Sequence, residues 1–492
     1  MTISDARTPA PATSEPAASN LRWLILAVIA IAQVTVVLDA TIVNIALPSA
    51  QADLKFTDDQ RQWLVTGYAL SFGSLLLIGG RIADLWGRKL TFLVGIAGFA
   101  AASAVGGAAG SFEVLVAARV GQGVFAALLA PAALSLLTTT FTDPKERAKA
   151  FGIFGAIAGG GGAIGLLLGG FLTEYLDWRW CMFVNLIFAA VAFFGGASLL
   201  EKSTVTERPK LDLIGVATAT AGMFLLVYGL GNAHTKTWSS PQTWGYIVAG
   251  VALLVVFTWW QTRAAHPLLP LRILLDRNRG GSFLAIFILC AGIFVIFLFL
   301  TYFLQQNLRF SPVESGVAFL PMLATMMVAA TLSTTVLMPK IGPRPLVGLG
   351  MLSSAVGIAL FVFLDEQSTY SGGVLPGLLI SGVGIGLTMA STMNVGVAGV
   401  DPNDSGAASA AINAVQQVGG SIGTALFSSV AATAMTNAAM EGKTLAGAAI
   451  AGYNAAFGWS AALFVVGGLI SVFIIKPGVP AELDTSAPAI HV

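Results

Sequence analysis

Two charged side chains lie inside long apolar runs, where a charge is costly and usually functional. Asp39 falls within the run at 22–48, and Arg119 falls within the run at 113–137. A carboxylate at the centre of a membrane helix costs about 2.5–3.5 kcal/mol on insertion scales. Because burial among apolar residues favours the neutral form of a carboxyl group, Asp39 is a candidate for reversible protonation. The alternative is a structural carboxylate that pairs with a neighbouring helix.

Arg119 is followed at helical spacing by Gln122 and Gly123, so the three residues share one face of a helix. Arg119 and Gln122 offer hydrogen-bond donors, and Gly123 allows another helix to approach closely. We therefore expect Arg119 to act with Asp39 in proton coupling. A structural arginine that satisfies backbone carbonyls is the competing interpretation.

Other reactive side chains are scarce in the apolar runs. His234, His266 and His491 lie between or after these runs, while Cys181 and Cys290 lie inside them and far apart. Neither a metal site nor a disulfide framework is expected from this distribution. An enzyme would need His, Asp or Cys residues converging within the membrane, so the chain is predicted not to be an enzyme.

Glycines are concentrated in the run at 148–172, where Gly152, Gly161, Gly165, Gly169 and Gly170 form a motif. The spacing of the middle three places a groove along one face of a helix, and another helix can pack closely into it. Simple helix packing explains most of this pattern. A bending or sliding surface is the functional interpretation.

A second motif lies between two apolar runs, at 80–89. Gly80, Arg81, Asp84, Gly87 and Arg88 combine glycines that permit a tight turn with charges of both signs. A loop that only anchors the topology would need basic residues alone. The mixture predicts a gating element, in which Asp84 latches neighbouring helices.

These residues must be positioned by membrane helices. Charged residues make up 10% of the 492 and hydrophobic residues 56%, with a mean hydropathy of +0.83. An average soluble domain is roughly 25% charged, so a soluble enzyme and a disordered chain are excluded. A helix needs about 20 apolar residues to cross a bilayer. Fourteen such runs occur, at about 22–48, 60–80, 90–109, 113–137, 148–172, 179–199, 211–231, 243–262, 282–305, 313–337, 344–364, 373–397, 406–434 and 452–475. The predicted fold class is an all-α, polytopic membrane protein.

The basic residues predict the orientation. Eighteen of the 25 Lys and Arg fall in segments on the side of the N-terminus, six fall in the opposite loops, and Arg119 lies in a span. Basic residues are in excess on the cytoplasmic loops of membrane proteins, so both termini are predicted to lie in the cytoplasm. The protein is predicted to be a multi-pass protein of the plasma membrane. The net charge of +1 provides no field for binding nucleic acid. Residues 1–20 lack the cationic start of a cleaved signal and are predicted as a disordered tail.

Two nucleotide-like patterns do not fit their required contexts. Gly442, Lys443 and Thr444 resemble the end of a phosphate loop, but the position of the leading glycine is Asn437. The glycines at 160, 162 and 165 satisfy a dinucleotide pattern without the preceding strand that exposes the backbone amides. We expect no cofactor, so any uphill transport must be driven by an ion gradient.

Taken together, these segments resemble the major facilitator superfamily. Residues 80–89 resemble its loop between helices 2 and 3, and residues 115–123 resemble its helix 4 motif R-x-x-Q-G. The segment from Leu38 to Pro48, together with the count of fourteen spans, is similar to the drug:proton antiporter branch of the EmrB/QacA type. Three further segments fit that branch: residues 63–68, residues 178–180 with Asn185, and residues 211–215. The resemblance covers about 22–475.

The resemblance implies two six-helix bundles that rock about a central cavity. The implied domains are an N-terminal bundle at 21–200, inserted helices at 201–265, an amphipathic inner loop at 266–281, a C-terminal bundle at 282–476 and a cytoplasmic tail at 477–492. Residues 340–344 would be a degenerate repeat of the 80–89 loop. One departure concerns the glycine motif, because Leu166 replaces the proline of the family pattern and removes its hinge-like kink.

The function favoured by these features is export of hydrophobic, drug-like compounds in exchange for protons, by a monomer in a bacterial membrane. The substrates would be small hydrophobic or amphipathic molecules, and the partners would be protons and the lipid bilayer. Export of one endogenous metabolite, such as an antibiotic or siderophore, is the alternative. A passive channel or a membrane-embedded enzyme fits less well. Candidate cavity residues are Trp63, Tyr68, Gln122, Phe294, Tyr302, Met326, Met393, Asn394, Asn413 and Gln416.

Overall fold

The computed structural model describes residues 15–141, 144–201, 212–236, 240–265, 267–268, 271–398, 400 and 405–478. These residues form helices joined by short turns, which confirms the prediction of an all-α membrane protein. The long helices are α1 (Glu15–Leu54), α2 (Asp58–Trp86), α3 (Arg88–Gly107), α4 (Phe112–Thr140), α5 (Pro144–Tyr175), α6 (Trp180–Leu199), α7 (Leu213–Lys236) and α8 (Pro241–Gln261). They continue with the short α9 (Leu271–Leu275), then α10 (Arg277–Tyr302), α11 (Pro312–Ala318), α12 (Leu320–Leu332), α13 (Met338–Ile341), α14 (Pro343–Leu360), α15 (Leu375–Val397), α16 (Ser405–Met440) and α17 (Leu445–Ile474).

Within the described residues, 12 helical segments are long and apolar enough to cross a membrane. Shorter apolar stretches, Trp63–Leu76 and Ile164–Tyr175, lie in α2 and α5. The count of fourteen spans stays a prediction. Helix α1 begins at Glu15, inside the segment expected as a tail, and α10 begins at Arg277, inside the expected amphipathic loop.

The helices pack in two groups that follow the chain. In the first, α4 packs against α2 and α3, and α1 packs against α5 and α6. In the second, α14 packs against α15 and α17, and α10 packs against α16 and α17. The groups meet where α2 packs on α16, where α5 packs on α11 and where α1 touches α10. We call the two groups the first half and the second half.

The pair α7 and α8 forms a hairpin, of which α7 packs on α2 and α16. Asp212 fixes this hairpin at its open end. Its Oδ1 accepts hydrogen bonds from the Gly215 amide at 2.9 Å and from Trp260 Nε1 at 2.7 Å, and its Oδ2 accepts one from Gln261 Nε2 at 2.8 Å. The Asp212 carboxylate therefore caps the start of α7 and links α7 to the end of α8.

Both described chain ends lie at one end of the helix bundle, which we call the terminal end. There Arg22 Nη1 of α1 donates to Glu146 of α5 at 2.8 Å, and Arg277 Nε of α10 donates to the carbonyl of Ile474 of α17 at 2.7 Å. The turns after α1, α5, α10 and α14 lie at the opposite, distal end.

The two halves repeat the same turn chemistry at the distal end. Lys55 and Arg309 adopt left-handed backbone angles, with φ of 56° and 59°. Each is followed two residues later by the first residue of a capping box, Thr57 with Gln60 and Ser311 with Glu314. At the terminal end, Gly87 and Gly342 each separate two helices with positive φ, 87° and 75°. These matched turns support the expectation that residues 340–344 copy the 80–89 loop.

Candidate functional site

Asp39 and Arg119 form a buried ion pair. The Arg119 Nη1 atom of α4 lies 2.5 Å from Oδ2 of Asp39 on α1, and the side chains are 2% and 0% exposed. Sequence reasoning picked out both charges but did not predict that they bind each other directly. Since an isolated charge at this depth is costly, each side chain provides the neutralising partner that the other needs.

The second oxygen of Asp39 is held by two amides. Gln122 Nε2 of α4 and Asn185 Nδ2 of α6 donate to Oδ1 at 2.8 and 2.7 Å. Gln122 Oε1 also accepts a hydrogen bond from Arg119 Nη1 at 2.8 Å, and Gln122 Nε2 donates one to Ser103 Oγ of α3 at 2.8 Å. We call Asp39, Arg119, Gln122, Asn185 and Ser103 the Asp39 network. Side chains from four helices of the first half therefore belong to a network centred on one carboxylate.

Helix α2 completes the surroundings of Arg119. Arg119 Nε donates to the backbone carbonyl of Leu64 at 3.1 Å, and its guanidinium carbon lies 4.4 Å from the centre of the Tyr68 ring. Among the described residues, the buried Tyr68 hydroxyl and Asn185 Oδ1 have no hydrogen-bond partner. Buried polar atoms are normally paired, so each of these two atoms can still accept a hydrogen bond.

The glycine motif of α5 packs against α1, the helix that carries Asp39. A Cβ at Gly165 would lie 2.0 Å from Thr41 Oγ1, and a Cβ at Gly169 would lie 2.8 Å from Ile42 Cγ1. Gly161 faces Val37 in the same way. Helix α1 therefore packs into the predicted groove through residues that lie before and after Asp39. Gly152 falls outside the residues whose side chains are described.

One glycine of the motif faces the second half instead. A Cβ at Gly170 would lie 2.6 Å from the Pro312 carbonyl oxygen of α11. Leu166, at the proline position of the family pattern, is fully buried, and its carbonyl oxygen would lie 2.5 Å from a Cβ at Gly316. Helix α5 continues through Leu166 as one helix, as expected for a sequence without the proline.

The 80–89 motif joins α2 to α3 at the terminal end. Arg81 Nη2 donates to the carbonyl of Pro267 at 2.8 Å, in the segment between α8 and α9. Gly87 provides the positive φ of the turn, Gly80 faces Pro131, and Arg88 is half-buried. The Asp84 side chain lies outside the described residues, so its latch role remains a prediction.

The predicted cavity residues are dispersed. Tyr68 and Gln122 lie in or against the Asp39 network, whereas Trp63 contacts Tyr228 of α7, with ring centres 5.7 Å apart. Tyr302 is buried at the distal end, and Met393 is 40% exposed. The remaining residues, Phe294, Met326, Asn394, Asn413 and Gln416, are half-buried in the second half. Asn394 Nδ2 donates to the Ala390 carbonyl of its own helix.

Sequence reasoning missed the roles of Asn185, Ser103 and the Leu64 carbonyl. Asn185 was singled out only because it fits the family pattern. The available signal was an amide inside the apolar run at 179–199, since a polar group buried there needs a partner. No group of His, Cys, Asp or Glu in the described parts of the chain is arranged to hold a metal ion.

Comparisons with known proteins agree with this architecture. The chain is 44% identical to the puromycin resistance protein of Streptomyces alboniger over 477 residues, which cover 95% of this chain and 94% of that protein. It is 35% identical to the cephamycin export protein of Amycolatopsis lactamdurans, covering 93% and 92% of the two chains. It is 33% identical to the lincomycin resistance protein of Streptomyces lincolnensis, covering 85% and 86%.

Among solved structures, an auto-inhibited peptide transporter of the POT family matches with a TM-score of 0.67 at 17% identity, covering 94% of this chain and 99% of that chain. At this identity the match shows the fold alone. The family profile described as Major Facilitator Superfamily matches residues 29–424. The chain therefore belongs to the major facilitator superfamily, and it is a membrane transporter rather than an enzyme.

Proposed function

We propose that this transporter exports small antibiotic-like molecules in exchange for protons, and that Asp39 is the group that binds and releases the proton. The observation that carries the proposal is the Asp39 network, in which a fully buried carboxylate is held by three side-chain donors from two other helices. No other Asp or Glu is buried among the described residues. As the one buried carboxylate among these residues, Asp39 is the simplest site there for a coupled proton.

The ion pair gives protonation a structural consequence. Adding a proton to Asp39 removes its charge, so Arg119 loses the electrostatic attraction that holds α4 to α1. Arg119 then depends on the Leu64 carbonyl, on Gln122 and on the Tyr68 ring. The protonated and deprotonated states therefore favour different placements of α1 relative to α2 and α4. Helix α1 also touches α10 of the second half, so its movement can be passed across the molecule.

The energetics of this exchange are sufficient for efflux. A membrane potential of 100 mV provides roughly 2.3 kcal/mol for each charge moved across the membrane. At about 1.4 kcal/mol per factor of ten, one proton sustains roughly a 40-fold substrate gradient. A pH difference adds to that value.

The names of the relatives support the proposed substrate class. Their names refer to puromycin, cephamycin and lincomycin, which are separate antibiotics rather than a shared panel of toxicants. These three names favour a dedicated antibiotic exporter, whereas a relative that is 31% identical over 398 residues is named a multidrug resistance protein. A growth comparison across a toxicant panel, in a host without its own efflux pumps, separates the two: a dedicated exporter protects against one chemical class, and a multidrug pump protects against several.

The same proposal includes the membrane arrangement expected from the sequence. The terminal end would face the cytoplasm, the protein would act as a monomer in the bacterial cell membrane, and fourteen helices would form two six-helix bundles with α7 and α8 inserted between them. The distribution of basic residues supports this orientation.

Asp39→Asn tests the coupling, because it preserves the size of the side chain and removes its titration. In vesicles with an imposed pH gradient, the variant should lose uphill transport and retain exchange of labelled substrate for unlabelled substrate. Asp53→Asn is the matched control, since Asp53 is a carboxylate on the same helix that pairs with Arg179 at the distal end, at 2.7 Å. Asp39→Asn protein that still accumulates substrate against its gradient would contradict proton exchange at Asp39.

A further inference from the structure

The two halves are joined at the distal end by polar contacts that the proposed function leaves unexplained. Tyr302 of α10 donates its hydroxyl hydrogen to Gln51 Oε1 of α1 at 2.7 Å. The guanidinium carbon of Arg61, on α2, lies 3.9 Å from the centre of the Tyr302 ring. Tyr302 is fully buried and Arg61 is 6% exposed. One tyrosine of the second half thus touches two helices of the first half.

A second hydrogen bond crosses the same boundary, again with its donor in the second half and its acceptor in the first half. Gln305, in the turn that follows α10, donates its side-chain amide to the Ile45 carbonyl of α1 at 3.1 Å. Gln51 and Gln305 occupy matching positions in the repeat, each four residues before the basic residue with left-handed backbone angles, Lys55 or Arg309. The contacts therefore lie where two equivalent helices face each other across the boundary between the halves.

We propose that Arg61, Tyr302, Gln51 and Gln305 form a polar clamp that holds the distal end closed, and that this clamp must open whenever substrate leaves through that end. The proposal rests on the proposed function in one respect, namely that the halves move relative to each other during transport. A buried Arg–aromatic contact and a partly buried hydrogen bond are strong enough to set the ratio of open to closed protein and weak enough to be broken in each cycle.

The chemistry of the clamp suits a reversible gate. Its cation lies over the face of an aromatic ring, and the two hydrogen bonds described above join neutral amide, hydroxyl and carbonyl groups. When the halves separate at this end, water can hydrate all of these groups, so none remains buried without a partner. An apolar seal would expose hydrocarbon to water at each opening.

Distances between spin labels across the distal end test the clamp without a proton gradient or a substrate. Labels at Leu176→Cys in the first half and Leu445→Cys in the second half use exposed positions, 56% and 89%, away from the clamp. Cys181→Ala and Cys290→Ala remove the native thiols. In lipid nanodiscs the parent protein should show mainly the short distance of the closed end. Tyr302→Phe and Arg61→Gln should each raise the ratio of open to closed protein about tenfold.

Tyr453→Phe is the matched control, because Tyr453 is a buried tyrosine whose hydroxyl lies 3.5 Å from Gln306 within the same half. It should leave the distance distribution unchanged. If the folded Tyr302→Phe and Arg61→Gln proteins keep the parent distribution, the clamp does not hold the distal end closed. If they open but Asp39→Asn still drives uphill transport in vesicles, the clamp stands and the proton-exchange proposal fails. Thermal unfolding of each variant identifies protein that is not folded.

Discussion

Asn185 of α6 donates its amide to Oδ1 of Asp39 on α1, at 2.7 Å. The two residues are 146 positions apart in the chain, so the contact requires α1 and α6, the first and last helices of the first half, to pack together. It gives the carboxylate a donor that is independent of the ion pair on the other oxygen. Asp39 therefore remains hydrogen-bonded on Oδ1 even when Arg119 is displaced from Oδ2.

Replacing Asn185 should destabilise the assembled first half. Asn185→Ala removes one donor to a buried carboxylate, and we expect the free energy of unfolding to fall by about 1–3 kcal/mol. Unfolding in mixed detergent measures this change. Asn394→Ala is the control, because the Asn394 amide donates to a carbonyl of its own helix and its loss should cost less. Equal losses in the two variants would contradict a special role for Asn185.

The contact between α5 and α1 should tolerate no side chain at Gly165. In Gly165→Ala the new Cβ would meet Thr41 Oγ1 at 2.0 Å, so α1 must move or the protein loses about 1–3 kcal/mol of stability. Since Thr41 is two residues from Asp39, uphill transport should also fall. Gly162→Ala is the matched control on the same helix, because its Cβ would meet only Thr41 Cγ2, at 3.8 Å. Melting temperature and vesicle transport are the measurements, and equal behaviour of the two variants would refute the close packing.

The 80–89 motif should govern the rate of transport rather than the affinity for substrate. Arg81→Gln removes the bond to the Pro267 carbonyl, and Asp84→Asn removes the charge expected to latch the helices. We expect several-fold lower turnover in each variant with substrate binding nearly unchanged. Initial rates in vesicles and equilibrium binding separate the two quantities. A loss of affinity with turnover intact would place these residues in a binding site instead.

The predicted topology can be tested with reporters fused to the chain. A reporter active only in the cytoplasm should be active when it is fused after residue 492 and inactive when it is inserted after Gly110, in the turn between α3 and α4. Fourteen spans with both termini inside require this opposite behaviour. An inactive C-terminal fusion, with the protein present at normal levels, would mean an odd number of spans.

The sequence was most informative where a residue type conflicts with its surroundings. Asp39 and Arg119 stood out because charges are rare in apolar runs, and the glycines at 161, 165 and 169 stood out by their spacing. The all-helical fold followed from composition and from run length. In each case the property belongs to one segment of the chain.

Relationships between distant segments could not be read in the same way. Nothing in the run at 60–80 shows that Trp63 contacts Tyr228 of the α7–α8 hairpin, because that contact depends on where the hairpin docks. The contact between Tyr302 and Arg61 was likewise not predicted, since the interface between the halves forms only when both are folded. The same limit explains why the partner of Asp39 was not predicted.

The ion pair between Asp39 and Arg119 also has a consequence for biosynthesis. The two residues are 80 positions apart, so at about 5–20 residues per second the ribosome adds Arg119 roughly 4–16 seconds after Asp39. During that interval α1 has its acidic residue without the cation that pairs with it in the folded protein. The unfinished chain must therefore accommodate Asp39 without Arg119 until α4 has been synthesised. A chain halted before Arg119 would therefore keep Asp39 without its arginine partner.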